Sequence, residues 1–183
     1  MRETASTNFY QLKITLLGSD PAIWRRVLVK GDVTLHRLHG ILNRAMGWEN
    51  CHLYQFVVGR TMFSVPEPDL MEDMENAQKV HLDDLDIGPR RKFLYRYDFG
   101  DGWEHEVLVE KVLTTVEGQK VPSCIEGARA CPPEDCGGIG GYYDILEAIA
   151  SPQHSNHEEM KEWVGDDFDP EHFDLARTNA RLK

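Results

Sequence analysis

Long hydrophobic runs are missing from this chain of 183 residues. No segment approaches the roughly 20 apolar residues that a membrane helix needs, and Met1 to Asn8 lack the apolar stretch of a secretory signal. Both absences point to a cytoplasmic protein. Positive charge is also scarce: 20 Lys and Arg stand against 31 Asp and Glu, a net charge of −11. A surface of that average sign repels phosphate backbones and disfavours nucleic-acid binding through counterion release. The basic runs Arg25-Arg26 and Arg90-Arg91-Lys92 are too short to reverse this. Cysteine is sparse too. In a reducing compartment Cys51, Cys124, Cys131 and Cys136 read as free thiols or metal ligands rather than disulfides. No linker composition divides the chain, and its length can bury one core without staples.

What is present is organised around Phe93 to Val109. Phe93, Tyr95, Tyr97 and Phe99 before the turn, and Trp103, Val107 and Val109 after it, hold odd positions only. That period of two predicts a β-hairpin with one face inward, and Asp101-Gly102 supplies the positive φ of a tight reversal. Earlier, Tyr10, Leu12, Ile14 and Leu16 alternate with polar residues, Gly18 to Pro21 interrupts, and Ile23 to Val29 resumes: two antiparallel strands. Thr34 then stands as an N-cap, with Leu35, Leu38, Ile41, Leu42, Ala45 and Met46 at helical spacing and Gly47 as the C′ glycine. His36 falls on the polar side of this helix, and His39 borders the apolar stripe as a half-buried packing residue.

Cys51 to Val58 is apolar enough for a central strand. Ser64 to Ala77, acidic and broken by proline, reads as a surface excursion. Glu117 to Gly141 reads as a long irregular region, followed by a helix through Tyr142, Ile145, Leu146 and Ile149. A shorter helix spans about Asn156 to Trp163, and a last one starts at Asp169-Pro170. Sheet in the middle and helices at the end predict an α+β domain with a mainly antiparallel sheet.

Several stretches together resemble the plasmid pRiA4b ORF-3-like family. They are Ile23-Trp24-Arg25-Arg26, the helix from Leu38-His39 to Met46-Gly47-Trp48, Tyr97 to His105, Ala130 to Gly138, and Phe168-Asp169-Pro170. The resemblance runs from about Tyr10 to Asp174. It implies one α+β domain over 1–183 with its core at about 9–176, of a kind found in plasmids, insertion elements and prokaryotic genomes, without an established activity. The labels of mobile-element passenger or resolvase-like protein attach to the family, but no serine or tyrosine nucleophile stands among clustered arginines here.

The chemistry-bearing residues fall into two groups. Asp98, Asp101 and His105 at the hairpin, with Glu134, are catalytic candidates: they would serve as acid, base or ligands to a hard cation if they shared a cleft. The plainer reading is that both aspartates cap turn amides. Asp98-Phe99-Gly100 matches the kinase magnesium triplet, but the rest of that machinery is absent. Cys124, Cys131 and Cys136 are candidate zinc ligands, with Cys51, His52, His154 or His157 as a fourth, although their spacing is wider than paired knuckles. Packed thiols in a proline-ordered loop are the alternative.

Arg25 and Arg26 alternate faces on a strand, so one is buried, and a partner is expected in Glu134 or Asp135. Trp24, Arg25, Arg26, Trp103 and Asp135 are the candidate binding residues, while at least two of Trp24, Trp48, Trp103 and Trp163 belong to the core. Three functions remain open. The first is a binding or interaction module for a protein partner or small ligand, with its cleft between the 98–105 hairpin and the 131–141 loop. The second is a metal-dependent hydrolase or nuclease-like enzyme using zinc or another divalent metal. The third is an accessory protein of mobile elements acting through a protein partner.

Overall fold

The alternation seen in the sequence becomes one wall of the core. In a computed structural model, which describes residues 8–66 and 74–183, eight strands form one sheet. They are β1 (Phe9–Leu16), β2 (Trp24–Lys30), β3 (Tyr54–Val58), β4 (Thr61–Ser64), β5 (Glu75–Asn76), β6 (Lys92–Tyr97), β7 (Trp103–Leu113) and β8 (Ser123–Ala128). Their order is β5-β4-β3-β6-β7-β1-β2-β8, antiparallel throughout except for β4 with β5. Helices α1 (Leu35–Met46), α2 (Gly138–Ala150), α3 (His157–Val164) and α4 (Leu175–Arg181) complete a single α+β domain. No helix among the described residues is long and apolar enough to cross a membrane.

Register aligns the buried residues in rows across the sheet. Leu16, His105, Tyr95, Phe56 and Phe63 face one another in turn, and all are buried. The opposite face is wetter and carries cross-strand ion pairs: Arg26 with Glu110 at 2.6 Å, Arg96 with Glu104 at 2.8 Å and Lys92 with Glu106 at 2.9 Å. One apolar and one polar face is what an antiparallel sheet covered on a single side requires.

Helix α1 lies on the apolar side. Thr34 Oγ1 accepts the Arg37 N–H at 3.2 Å, and Gly47 closes the helix at φ +119°. Leu35, Leu38 and Leu42 are completely buried, each worth roughly 1.5–3 kcal/mol relative to exposure. His36 is exposed as expected, but His39 is fully buried rather than half-buried. Its ring stacks on Tyr54 with centroids 3.7 Å apart, and its Nδ1 lies 2.7 Å from the Tyr95 hydroxyl. Burial lowers its pKa to about 3.

Three boundaries differ from the sequence reading. The strand expected from Cys51 begins at Tyr54, because the Tyr97 hydroxyl takes the N–H groups of Cys51 and His52 and holds 49–53 as a loop. The irregular 117–141 region contains β8, an edge strand paired with β2, and α2 starts inside it at Gly138. The last helix starts at Leu175 with Asp174 as its cap, while Asp169 instead accepts the Glu171 N–H in a preceding turn. Most of the acidic excursion, 67–73, lies outside the described residues. Its flanks Ser64 and Ala77 are buried and joined by a 2.8 Å backbone bond.

Candidate functional site

Four segments meet at the tip of the β6–β7 hairpin: its own turn, the 49–52 loop after α1, the 131–136 segment and the start of α2. The turn opens at Asp98, in the left-handed region at φ +54°. Asp98 Oδ1 accepts the Gly100 N–H at 2.9 Å, and its carbonyl accepts the Gly102 N–H at 2.7 Å. Capping therefore belongs to Asp98. Asp101 Oδ2 is enclosed and makes no hydrogen bond, while the Asp101 carbonyl faces Gly138 so closely that a Cβ there would stand 2.3 Å away. Phe99, expected inward, is 47% exposed at the turn.

Glu134 ties the segments together. It accepts the Tyr97 O–H at 2.6 Å, the Glu49 N–H at 2.8 Å and the Cys51 thiol at 3.7 Å. Burial and this neighbouring carboxylate push the Tyr97 phenol well above its ordinary pKa. These bonds hold the hairpin and the 49–52 loop against the 131–136 segment. Among the described residues the four catalytic candidates Asp98, Asp101, His105 and Glu134 do not form one donor group. His105 is completely buried, edge-on to Trp48, with Nδ1 3.3 Å from the Tyr95 carbonyl and Nε2 without a partner. Burial lowers its pKa to about 4. Among the described residues the convergent donor groups are Cys51-His52-Glu134 and His52-Asp98-Asp135, neither of which includes His105 or Asp101.

The loop cysteines are not among those groups. The Cys124 thiol donates to the Glu126 carbonyl at 3.3 Å, and that of Cys136 to the Gly138 carbonyl at 3.6 Å. Burial pushes Cys131 up to about 12 and Cys136 up to about 11.

Of the two arginines, Arg25 is the buried one, 3% exposed. It pairs with neither Glu134 nor Asp135. Its Nε donates to the Ala45 carbonyl at 3.1 Å and its Nη1 to the Trp24 and Ala128 carbonyls at 2.8 Å each, while its guanidinium lies over Phe173. It thereby staples β8, β2 and the end of α1. Arg26, on the other face, bonds Glu110 and Glu126. Trp24 sits on that face under Lys13 and Arg26. Trp48 and Trp103 are core residues, with Trp48 Nε1 donating to the Pro132 carbonyl at 3.0 Å. Trp103 is 1% exposed.

An open groove lies beside the junction, between α2 and α3, with a volume of about 570 Å³. Ile145, Met160 and Trp163 form its apolar part, and Trp163 is 48% exposed. Asp135, Asp144, Glu147 and Glu159 line it as well, and no Lys or Arg does. α2 is held in place at both neighbours: Gly138 against Asp101, and the Tyr143 hydroxyl accepting the Asp20 N–H at 2.6 Å.

The profile of the plasmid pRiA4b ORF-3-like protein family matches residues 8–177. The chain belongs to that family. Among relatives of this pRiA4b ORF-3-like protein, the uncharacterized protein y4hQ of Sinorhizobium fredii is 40% identical over 175 residues, covering 94% of this chain and 89% of its own. The crystal structure of the protein of unknown function MM3350 from Methanosarcina mazei Go1 superposes with a TM-score of 0.83 at 36% identity, covering 92% of this chain and 96% of that one. Neither name states an activity, so the pRiA4b ORF-3-like residues must be read from their own chemistry. Sequence reasoning missed two features of that chemistry. His52 appeared only as a spare ligand, because its convergence on Asp98 and Asp135 depends on the 49–52 loop folding back. The groove was signalled only by an exposed-face tryptophan, Trp163, in an acidic helix.

Proposed function

We propose that this protein is a binding module whose α2–α3 groove takes a cationic, amphipathic segment of a partner protein. The carrying observation is the combination of four carboxylates, no lining Lys or Arg, and an exposed Trp163 beside Met160 and Ile145. Carboxylates that line one groove without a lysine or arginine give it a negative potential, which an incoming Lys or Arg complements while its partner's apolar residues cover the tryptophan. Trp163 also offers its ring face to a cation. An accessory role in a mobile element would run through the same surface, since the net charge of −11 opposes direct contact with DNA.

The test is calorimetric titration with a Lys/Leu amphipathic helical peptide, using an acidic peptide of the same length as control. Wild type should bind the basic peptide at one site. Glu147→Lys with Glu159→Lys should weaken binding about tenfold or more, the equivalent of roughly 1.4 kcal/mol. Trp163→Ala should weaken it too. Reversal of Glu117, which lies outside the groove, should leave it nearly unchanged. Equal loss on reversing Glu117, or no loss in the groove variants, would reduce the effect to unspecific attraction and remove the proposal.

A further inference from the structure

The second unused feature is His52. Its Nε2 lies 3.1 Å from Asp135 Oδ1 and 3.7 Å from Asp98 Oδ2, and one donor atom from each of the three falls within a 4.8 Å group. Ligand atoms held at about 2.0–2.2 Å around a tetrahedral ion stand roughly 3.3–3.6 Å apart, so the two observed separations bracket the spacing a bound ion demands. His52 Nε2 is shielded from solvent and makes no hydrogen bond, although a carboxylate oxygen is 3.1 Å away. Among the described residues neither Asp98 nor Asp135 has a Lys or Arg within 4.0 Å, so histidine is the sole basic side chain facing two carboxylates.

We propose that His52, Asp98 and Asp135 bind a divalent transition-metal ion, with Zn²⁺ as its expected occupant. One imidazole and two carboxylates form a borderline-to-hard donor set, and exposed Asp135 leaves one side of the site open to a water ligand. The residues around it fix the donors. The Tyr97 hydroxyl takes the His52 N–H, the His52 ring stands edge-on to Tyr97, and Glu134 anchors the loop through the Glu49 N–H. Cys51 and Glu134 also lie near His52, but the thiol already donates to Glu134 and Glu134 already accepts from Tyr97. The loop cysteines take no part. This inference is independent of the groove, with which it shares only Asp135.

The experiment is titration of chelator-stripped protein with Zn²⁺ against a competing metal indicator, repeated with Mn²⁺, alongside thermal unfolding with and without Zn²⁺. Wild type should take up one Zn²⁺ and melt at a higher temperature with it. His52→Ala and Asp98→Asn should each weaken uptake about tenfold or more and abolish the thermal shift. Asn keeps both the left-handed backbone and the acceptor for Gly100, so Asp98→Asn should fold, and metal-free melting of both variants checks this. Cys131→Ser should bind as wild type does. Absence of stoichiometric Zn²⁺ binding, binding that survives both variants, or binding lost in Cys131→Ser would each overturn the proposal. Glu147→Lys, which tests the groove, should leave Zn²⁺ uptake intact.

Discussion

Placing a methyl group on Gly138 tests the docking that positions both candidate sites. The added Cβ would stand 2.3 Å from the Asp101 carbonyl oxygen, over 1 Å inside ordinary contact, and the obstacle is backbone that cannot rotate away. Gly138 also has φ +69°, a region that costs an L-residue about 1 kcal/mol. Overpacking adds roughly 1–3 kcal/mol. The expected loss for Gly138→Ala is about 3 kcal/mol, or about 6–12 °C in Tm for a domain of this size. Two residues on, Gly140 lies inside α2, and a methyl group added there would meet no atom within 4 Å. Gly140→Ala should therefore stabilise, by up to about 1 kcal/mol of helix propensity. Urea unfolding of both variants at pH 7 reads the difference. If Gly138→Ala stays within about 1 kcal/mol of wild type, or Gly140→Ala is equally damaging, α2 does not dock on the hairpin as described.

Two other perturbations separate the core from the junction. His105, held neutral by burial, has its pKa lowered from 6.5 to about 4, so the folded state binds fewer protons than the unfolded chain between those values. Its contribution is complete above about pH 6.5 and is lost as pH falls toward 4, at up to about 1.4 kcal/mol per pH unit. His105→Leu should flatten the acid side of a stability profile by that slope, and an unchanged slope would contradict its burial. At the junction, Glu134→Ala should cost about 2–3 kcal/mol, because it removes charge-assisted bonds from Tyr97 and Glu49. A double-mutant cycle with Tyr97→Phe should return a coupling of about 1 kcal/mol or more, and additive losses would show that the two side chains do not act together.

The legible part of the fold was carried by short-range periodicity. Tyr10, Leu12, Ile14 and Leu16, and then Phe93, Tyr95, Tyr97, Trp103 and Val107, announce their face because strand side chains alternate whatever the tertiary context. Thr34 and Gly47 mark α1 because capping is local. β8 was hidden because Ser123 to Ala128 is an edge strand with little apolar content, and its pairing with β2 is long-range. Asp169-Pro170 imitated a helix start that Asp174 actually provides. At the candidate site, one buried arginine was legible from alternation. Its partners were not, since three backbone carbonyls satisfy Arg25 where a carboxylate was expected. His105 shares the buried odd-numbered face with Trp103 and Val107, but a period of two says nothing about distance to the turn aspartates. The meeting of His52 with Asp98 and Asp135 joins residues far apart in sequence and has no local signature.

The most direct test of the central claim is a ¹H–¹⁵N chemical-shift map of the ¹⁵N-labelled protein during titration with the Lys/Leu amphipathic peptide. A binding module that uses the α2–α3 groove should show saturable shifts concentrated at Asp144, Glu147, Glu159, Met160 and the Trp163 indole. Shifts scattered over the ion-paired outer face of the sheet, or none below millimolar peptide, would contradict it.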